Sequence, residues 1–203
     1  MNQNPNHTLI YGMHPITEVL RAKKRKLYTL YCLNKNAPKT HELLKKLPQY
    51  ARVLVISKDA MNSMVQSTDH QGVVAAVSPA ILKKNFFSPK THPIIIMIDR
   101  IHDPRNLGAI LRSAYCTKTI GVIITAQESS SITAASFKAS AGLAEFLDVF
   151  EVRTIKEGLQ RTQEAGYTCY AACLNGTPLY SLEPQKGSCI IVGNEEKGID
   201  ERV

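Results

Sequence analysis

The sequence predicts an α/β protein in two domains, on three observations. Apolar runs of strand length alternate with stretches of helical periodicity along the chain. The run IIIMI at 94–98 is five apolar residues, mostly β-branched and without alternation, which reads as a strand buried on both faces of a parallel sheet. Between two alternating halves lies SPAILKKNFFSPKTHP at 78–93, with three prolines and no periodicity, which reads as a linker. The expected division is residues 1–78, a linker at 79–93, and a second domain at 94–203.

In the first domain, residues 8–12 form a short extended entry. Pro15 suits a helix start, and Ile16, Val19 and Leu20 follow at helical spacing. This helix ends in the basic run RAKKRK at 21–26. Cations there complement a helix C-terminus; Lys23, Lys24 and Arg25 would equally form a cluster facing phosphates, and the two readings are compatible. Residues 27–33 (LYTLYCL) are a strand, 40–47 a helix closed by Pro48, and 52–56 a strand. A helix at 58–65 enters through Ser57 as N-cap, and 72–77 (GVVAAV) is the last strand.

In the second domain, Asp99, Arg100, His102, Asp103, Arg105 and Asn106 crowd the carboxyl end of the 94–98 strand, the edge where open α/β sheets bind ligands. Pro104 then opens a helix on which Leu107, Ile110, Leu111 and Ala114 recur at helical spacing. A strand at 121–125, a helix at 131–141, a strand at 146–152 and a helix at 155–164 follow. Strands at 167–174 and 188–192 complete the parallel sheet. Phe86 and Phe87 in the linker either anchor it to a domain surface or stack on bases.

Charge is unevenly distributed. Of 25 Lys and Arg and 17 Asp and Glu, 14 and 4 lie up to His92, leaving 11 and 13 beyond it. A basic first half joined to a near-neutral second half suggests that one grips a polyanion while the other does chemistry. No apolar run is long enough to span a bilayer, and the start MNQNPNHT has neither a secretory nor a transit pattern, so a cytoplasmic location is expected. The 5 cysteines show no C-x-x-C pair, and no short-spaced Cys/His set supports a metal site. Neither G-x-G-x-x-G nor G-x-x-x-x-G-K-[ST] occurs, so a pyrophosphate-binding helix N-terminus has no candidate loop.

Two distant segments carry a family resemblance. N-L-G-A-I-L-R at 106–112 follows a buried strand, and G-N-E-E-K-G at 193–198 follows the apolar run at 190–192. Together they resemble the first and second motifs of the SpoU (TrmH-like) branch of the SPOUT RNA methyltransferases. In the first half, YGMHP at 11–15 and HQGVVA at 70–75 resemble the ribosomal-protein-like substrate-binding domain that precedes many SpoU catalytic domains. The third family motif, a Ser/Asn-rich turn, has no counterpart up to Val203. The resemblance therefore implies a trefoil-knot domain whose knot segment and cofactor pocket are incomplete.

It further implies transfer of a methyl group from S-adenosylmethionine to a ribose 2′-hydroxyl in RNA, with a guanosine of large-subunit rRNA favoured over tRNA, and a homodimer without metal. Gly193 is the first candidate for contacting the cofactor, followed by Leu174, Gly176, Asn194 and Gly198; Asn175-Gly176 is equally a simple turn. Arg112 matches the motif-one arginine, as a base or, given how strongly a guanidinium holds its proton, as a stabiliser of negative charge on the ribose oxygen or a flanking phosphate. Asn106 would orient it or the ribose, and Glu195 would fix the guanidinium. Arg105 and Ser140, the latter in KASAG, are further substrate-side candidates. Taken singly, Asn106 could be a helix cap, Arg112 a surface cation and Glu195 a loop carboxylate. Two other classes stay open: an RNA-binding protein without catalysis, and an unrelated α/β nucleotide-binding enzyme.

Overall fold

The computed structural model of the chain describes residues 7–127 and 129–199. It divides into two compact units: one of Met1–Ile81 with Ile132–Glu145, the other of Leu82–Ser131 with Phe146–Val203.

The first unit is built on β1 (Thr8–Tyr11), α1 (Met13–Ala22), β2 (Leu27–Cys32), α2 (Pro38–Leu44), β3 (Arg52–Val55), α3 (Lys58–Val65) and β4 (Val73–Val77). Its sheet runs β1-β4-β2-β3, with β4 antiparallel to both neighbours and β2 parallel to β3. Strand β4 is central and buried at every residue, which explains its unbroken apolar sequence. Ser57 caps α3 as expected, accepting from the Ala60 N–H at 3.2 Å. Helix α1 stops earlier than its basic run suggests. Lys23 takes a left-handed conformation (φ 56°), so the turn to β2 begins inside the cluster.

The second unit is built on β5 (Ile94–Ile98), α4 (Pro104–Cys116), β6 (Gly121–Thr125), β7 (Asp148–Val152), α6 (Ile155–Glu164), β8 (Thr168–Ala171) and β9 (Ser188–Val192). All five strands are parallel, in the order β7-β6-β5-β9-β8. The order reverses between β5 and β9, and open sheets bind ligands outside the carboxyl ends at such a switch point. Ile95, Met97, Ile123, Phe150, Cys189 and Ile191 fill one face, with Ile155 and Leu159 of α6 packed on them. The other face is only partly covered: Ile94 is 45% exposed and Ile190 36%, so β5 is not buried on both faces along its whole length.

Phe86 and Phe87 anchor the linker. Phe87 is buried, and both rings pack edge-on to Phe150 at 5.1 and 6.4 Å.

The expected helix at 131–141 is shorter, α5 (Ala134–Ala139), and begins with a capping box between Thr133 and Ser136. It groups with the first unit rather than with the sequence around it. A 3-10 turn, Leu143–Phe146, replaces the start of the expected 146–152 strand.

Candidate functional site

Strand β5 delivers the chain into the site through two residues with fixed geometry. Asp99 is buried, its N–H donates to the Val192 carbonyl of β9 at 2.9 Å, and its carboxylate accepts from Arg100 Nε at 2.9 Å. Arg100 has φ 52°, a left-handed conformation costing a non-glycine residue about 1–2 kcal/mol. Its N–H donates to Ser129 Oγ at 2.9 Å and Thr125 Oγ1 at 3.3 Å, and its carbonyl accepts from Asn194 Nδ2 at 2.8 Å. The loops after β5, β6 and β9 are thus tied together at one residue.

Asp103 then caps α4, accepting from the Arg105 N–H at 2.8 Å while its carboxylate pairs with the exposed Arg105 guanidinium. One turn on, Asn106 donates from Nδ2 to Glu195 Oε1 at 3.0 Å. This bond joins two segments 89 residues apart, one after β5 and one after β9.

The loop after β9 is closed on itself. Asn194 and Gly198 exchange two backbone hydrogen bonds of 3.0 Å, and Asn194 Oδ1 accepts from the Glu196 and Lys197 N–H groups, each at 3.0 Å. The bounding glycines have physical reasons. A Cβ on Gly193 would lie 2.4 Å from the Gly198 carbonyl carbon, and Gly198 has φ +64°.

Arg100, His102, Asp103, Asn106, Asn194, Glu195, Glu196 and Lys197 line a cavity of about 400 Å³. The Glu195 carboxyl is held below the usual glutamate range, first by the Asn106 amide and then by backbone N–H groups of Glu195, His102 and Asp103. A depressed value means that the Asn106 hydrogen bond is fully present above the ordinary pKa of 4.5 and weakens as pH falls through the lowered one. The Asn106 side-chain amide resonances are therefore expected to titrate with a midpoint below 4.5. An NMR midpoint at or above 4.5 would contradict the geometry.

The structure brings Asn106, Asn194 and Glu195 together as neighbours, with Gly193 and Gly198 bounding the same loop, and sets Arg112, Leu174, Gly176, Arg25 and Ser140 outside the cavity lining. Arg112 is exposed on α4, about 120° round the helix from Asn106, and does not line the cavity. Glu195 is therefore held by Asn106 and not by Arg112, which has no hydrogen-bond or ion-pair partner among the described residues. Leu174 and Gly176 follow β8, strand neighbour of β9, in a segment where Leu174 and Tyr180 are fully exposed.

In the first unit, Lys23 and Lys24 are exposed but Arg25 is not. Its side chain is 3% exposed, its Nη2 lies 2.6 Å from Glu145 Oε2, and its guanidinium covers the Phe137 ring at 4.7 Å. This removes Arg25 from the phosphate-facing cluster, because burial and an ion pair have taken its charge. Ser140 is also buried, donating to the Phe137 carbonyl at 2.9 Å, so its hydroxyl serves the turn after α5 instead of facing a substrate. Asp99 stands among the polar residues expected at the carboxyl end of β5, whereas Thr125 and Ser129 escape sequence reasoning. Only Thr125 carries a usable signal, its place at the carboxyl end of β6. Among the described residues, no group of three or more His, Cys, Asp or Glu is placed to hold a metal ion, and no helix is long and apolar enough to cross a membrane.

Comparison with known proteins identifies the family. Residues 93–203 match the model of the SpoU rRNA methylase family, and residues 9–82 that of the RNA 2′-O ribose methyltransferase substrate-binding family. The chain is similar to the 23S rRNA (guanosine-2′-O-)-methyltransferase RlmB of Shewanella oneidensis, 27% identical and covering 94% of this chain and 81% of the relative. It is similar to that of Pseudomonas syringae pv. tomato as well, at 29%, 94% and 79%. Among solved structures, an RNA 2′-O ribose methyltransferase superposes with a TM-score of 0.82 at 19% identity, over 97% of this chain and 75% of that one. The SpoU methyltransferase AviRb of Streptomyces viridochromogenes, in complex with AdoMet, gives 0.73 at 18%, over 97% and 77%. A catalytic-family match spanning more than half of the chain, behind a matched substrate-binding segment, settles the assignment: the chain belongs to the SpoU rRNA methylase family, S-adenosylmethionine-dependent RNA 2′-O-ribose methyltransferases.

Proposed function

We propose that this protein methylates the ribose 2′-hydroxyl of a guanosine in large-subunit ribosomal RNA, in the cytoplasm and as a homodimer. The observation that carries the reading is the Asn106–Glu195 hydrogen bond, which closes the two motif loops over the switch point of the sheet. S-adenosylmethionine supplies a methyl group made electrophilic by its sulfonium. The loops after β8 and β9 suit it: exposed Leu174 offers apolar surface to a nucleoside, and the Gly193–Gly198 turn presents backbone groups with no side chain at either end. Gly193, Asn194 and Gly198, with Leu174 and Gly176, would hold it.

The acceptor hydroxyl needs its developing negative charge stabilised as its proton leaves. Asn106 is held in place by Glu195 and positions the ribose, while Arg112 supplies positive charge. Because Arg112 projects from an exposed face of α4 with no partner among the described residues, pairing of two copies is the arrangement that gives it a role. Exposed Lys23 and Lys24, within the basic first half of the chain, steer the RNA.

The test is methyl transfer from labelled S-adenosylmethionine to 23S rRNA, with the product mapped by resistance of the modified linkage to alkaline cleavage. A tRNA-only product would overturn the substrate, and RNA binding with no transfer would leave a binding protein. Gly193→Ala is expected to weaken donor binding by calorimetry roughly tenfold or more, about 1.4 kcal/mol for each factor of ten, because the added Cβ forces the loop open. Unchanged donor affinity would remove Gly193 from the pocket.

A further inference from the structure

We propose that Arg100 is an oxyanion ligand of this site, binding an RNA phosphate next to the target ribose; the inference rests on the transferase reading above. Four fixed hydrogen bonds define its geometry. The backbone N–H and carbonyl are both used, by Ser129 and Thr125 on one side and Asn194 on the other. The buried Asp99 carboxylate takes Nε at 2.9 Å. A guanidinium free to choose would answer a carboxylate with two parallel N–H groups. Here one is used, and Nη1 and Nη2 have no partner among the described residues.

These two nitrogens belong to a residue that lines the cavity and whose side chain is only 22% exposed, so they are oriented and partly withdrawn from water before any ligand arrives. The surrounding charge makes the donors necessary. Asp103, Glu195 and Glu196 line the same cavity, with Lys197 as the other full cation. Asp103 is committed to Arg105 and Glu195 to Asn106, so neither neutralises Arg100. A polyanion approaching three carboxylates needs a fixed bidentate donor at the point of closest approach, and Arg100 supplies it.

The second source of the same chemistry is the carboxylate of the methyl donor, and the experiment separates the two. In the full chain, Arg100→Gln is expected to raise KM for a short RNA carrying the target nucleotide roughly 10–100-fold, the range for removing charge-assisted hydrogen bonds. The kcat should stay within about twofold and S-adenosylmethionine affinity should be unchanged by calorimetry. Replacing the flanking phosphate by a neutral methylphosphonate should cost the native protein a similar factor and Arg100→Gln nothing. Arg100→Lys, which keeps the charge, should restore part of the loss at low salt, and it decides the matter if the Gln variant fails to fold. An unchanged RNA KM, a loss confined to donor affinity, or equal sensitivity of both proteins to the neutral linkage overturns the proposal. If the native protein binds RNA without transferring methyl groups, the transferase reading fails. The methylphosphonate penalty read by fluorescence anisotropy then decides Arg100 alone.

Discussion

Arg112→Ala is expected to lower kcat for methyl transfer on the order of 10²–10³-fold, the cost of removing one preorganised charge-stabilising donor from a transition state. KM for RNA should move little and donor affinity not at all. A guanidinium holds its proton far above neutral pH, so the variant's pH–rate profile should keep the native shape, whereas loss of a general base would remove its acidic limb. The exposed position of Arg112 makes a sharper test available. If it serves the partner copy's cavity, mixing Arg112→Ala with Asn106→Ala protein places both defects in one site of a mixed dimer and neither in the other. Activity should then return well above that of either variant alone. Failure to recover on mixing would confine Arg112 to its own subunit, and unchanged turnover in Arg112→Ala would remove it from the mechanism.

Arg25→Ala is expected to destabilise the first unit strongly. Its side chain and that of Glu145 are 3% and 4% exposed and stand 2.6 Å apart, so truncation leaves a buried carboxylate without its cation. Breaking such a pair costs about 3–5 kcal/mol. For a unit of this size, each kcal/mol shifts the melting temperature by roughly 4–8 °C, so calorimetry should show a fall of at least about 12 °C. Arg25→Met with Glu145→Leu should recover most of it, since both charges are then gone together. Lys23→Ala should do the reverse, leaving the melting temperature alone while weakening RNA binding. The slope of log affinity against log salt should also flatten, by up to about 0.9 for each phosphate no longer neutralised. A small effect of Arg25→Ala on melting, with a large one on salt dependence, would return Arg25 to the phosphate-facing cluster.

This contrast shows how far local pattern reaches. RAKKRK at 21–26 is a run of cations in the sequence and is divided in the structure, because Lys23 turns the backbone left-handed and aims Arg25 inward. Nothing local to residues 21–26 names Glu145 as the partner; an ion pair spanning 120 residues exists only once the chain has folded. The burial of Ser140 is hidden from local pattern for the same reason, since short helix α5 packs in the first unit although its neighbours in sequence lie in the second.

The sequence by itself determined the alternation of strands and helices, the parallel character of the second sheet, and the two motif loops after β5 and β9. Side-chain period, β-branching, caps and glycine turns are local properties, and β5, α4, β6, α6 and β9 fall where those properties put them. Only the tertiary structure decided the strand order that makes β5 and β9 neighbours, the hydrogen bond joining Asn106 to Glu195, and the hold of Asn194, Thr125 and Ser129 on the Arg100 backbone. Each of these depends on which distant segments meet. That is fixed by burying one continuous apolar core, and no run of neighbouring residues encodes it.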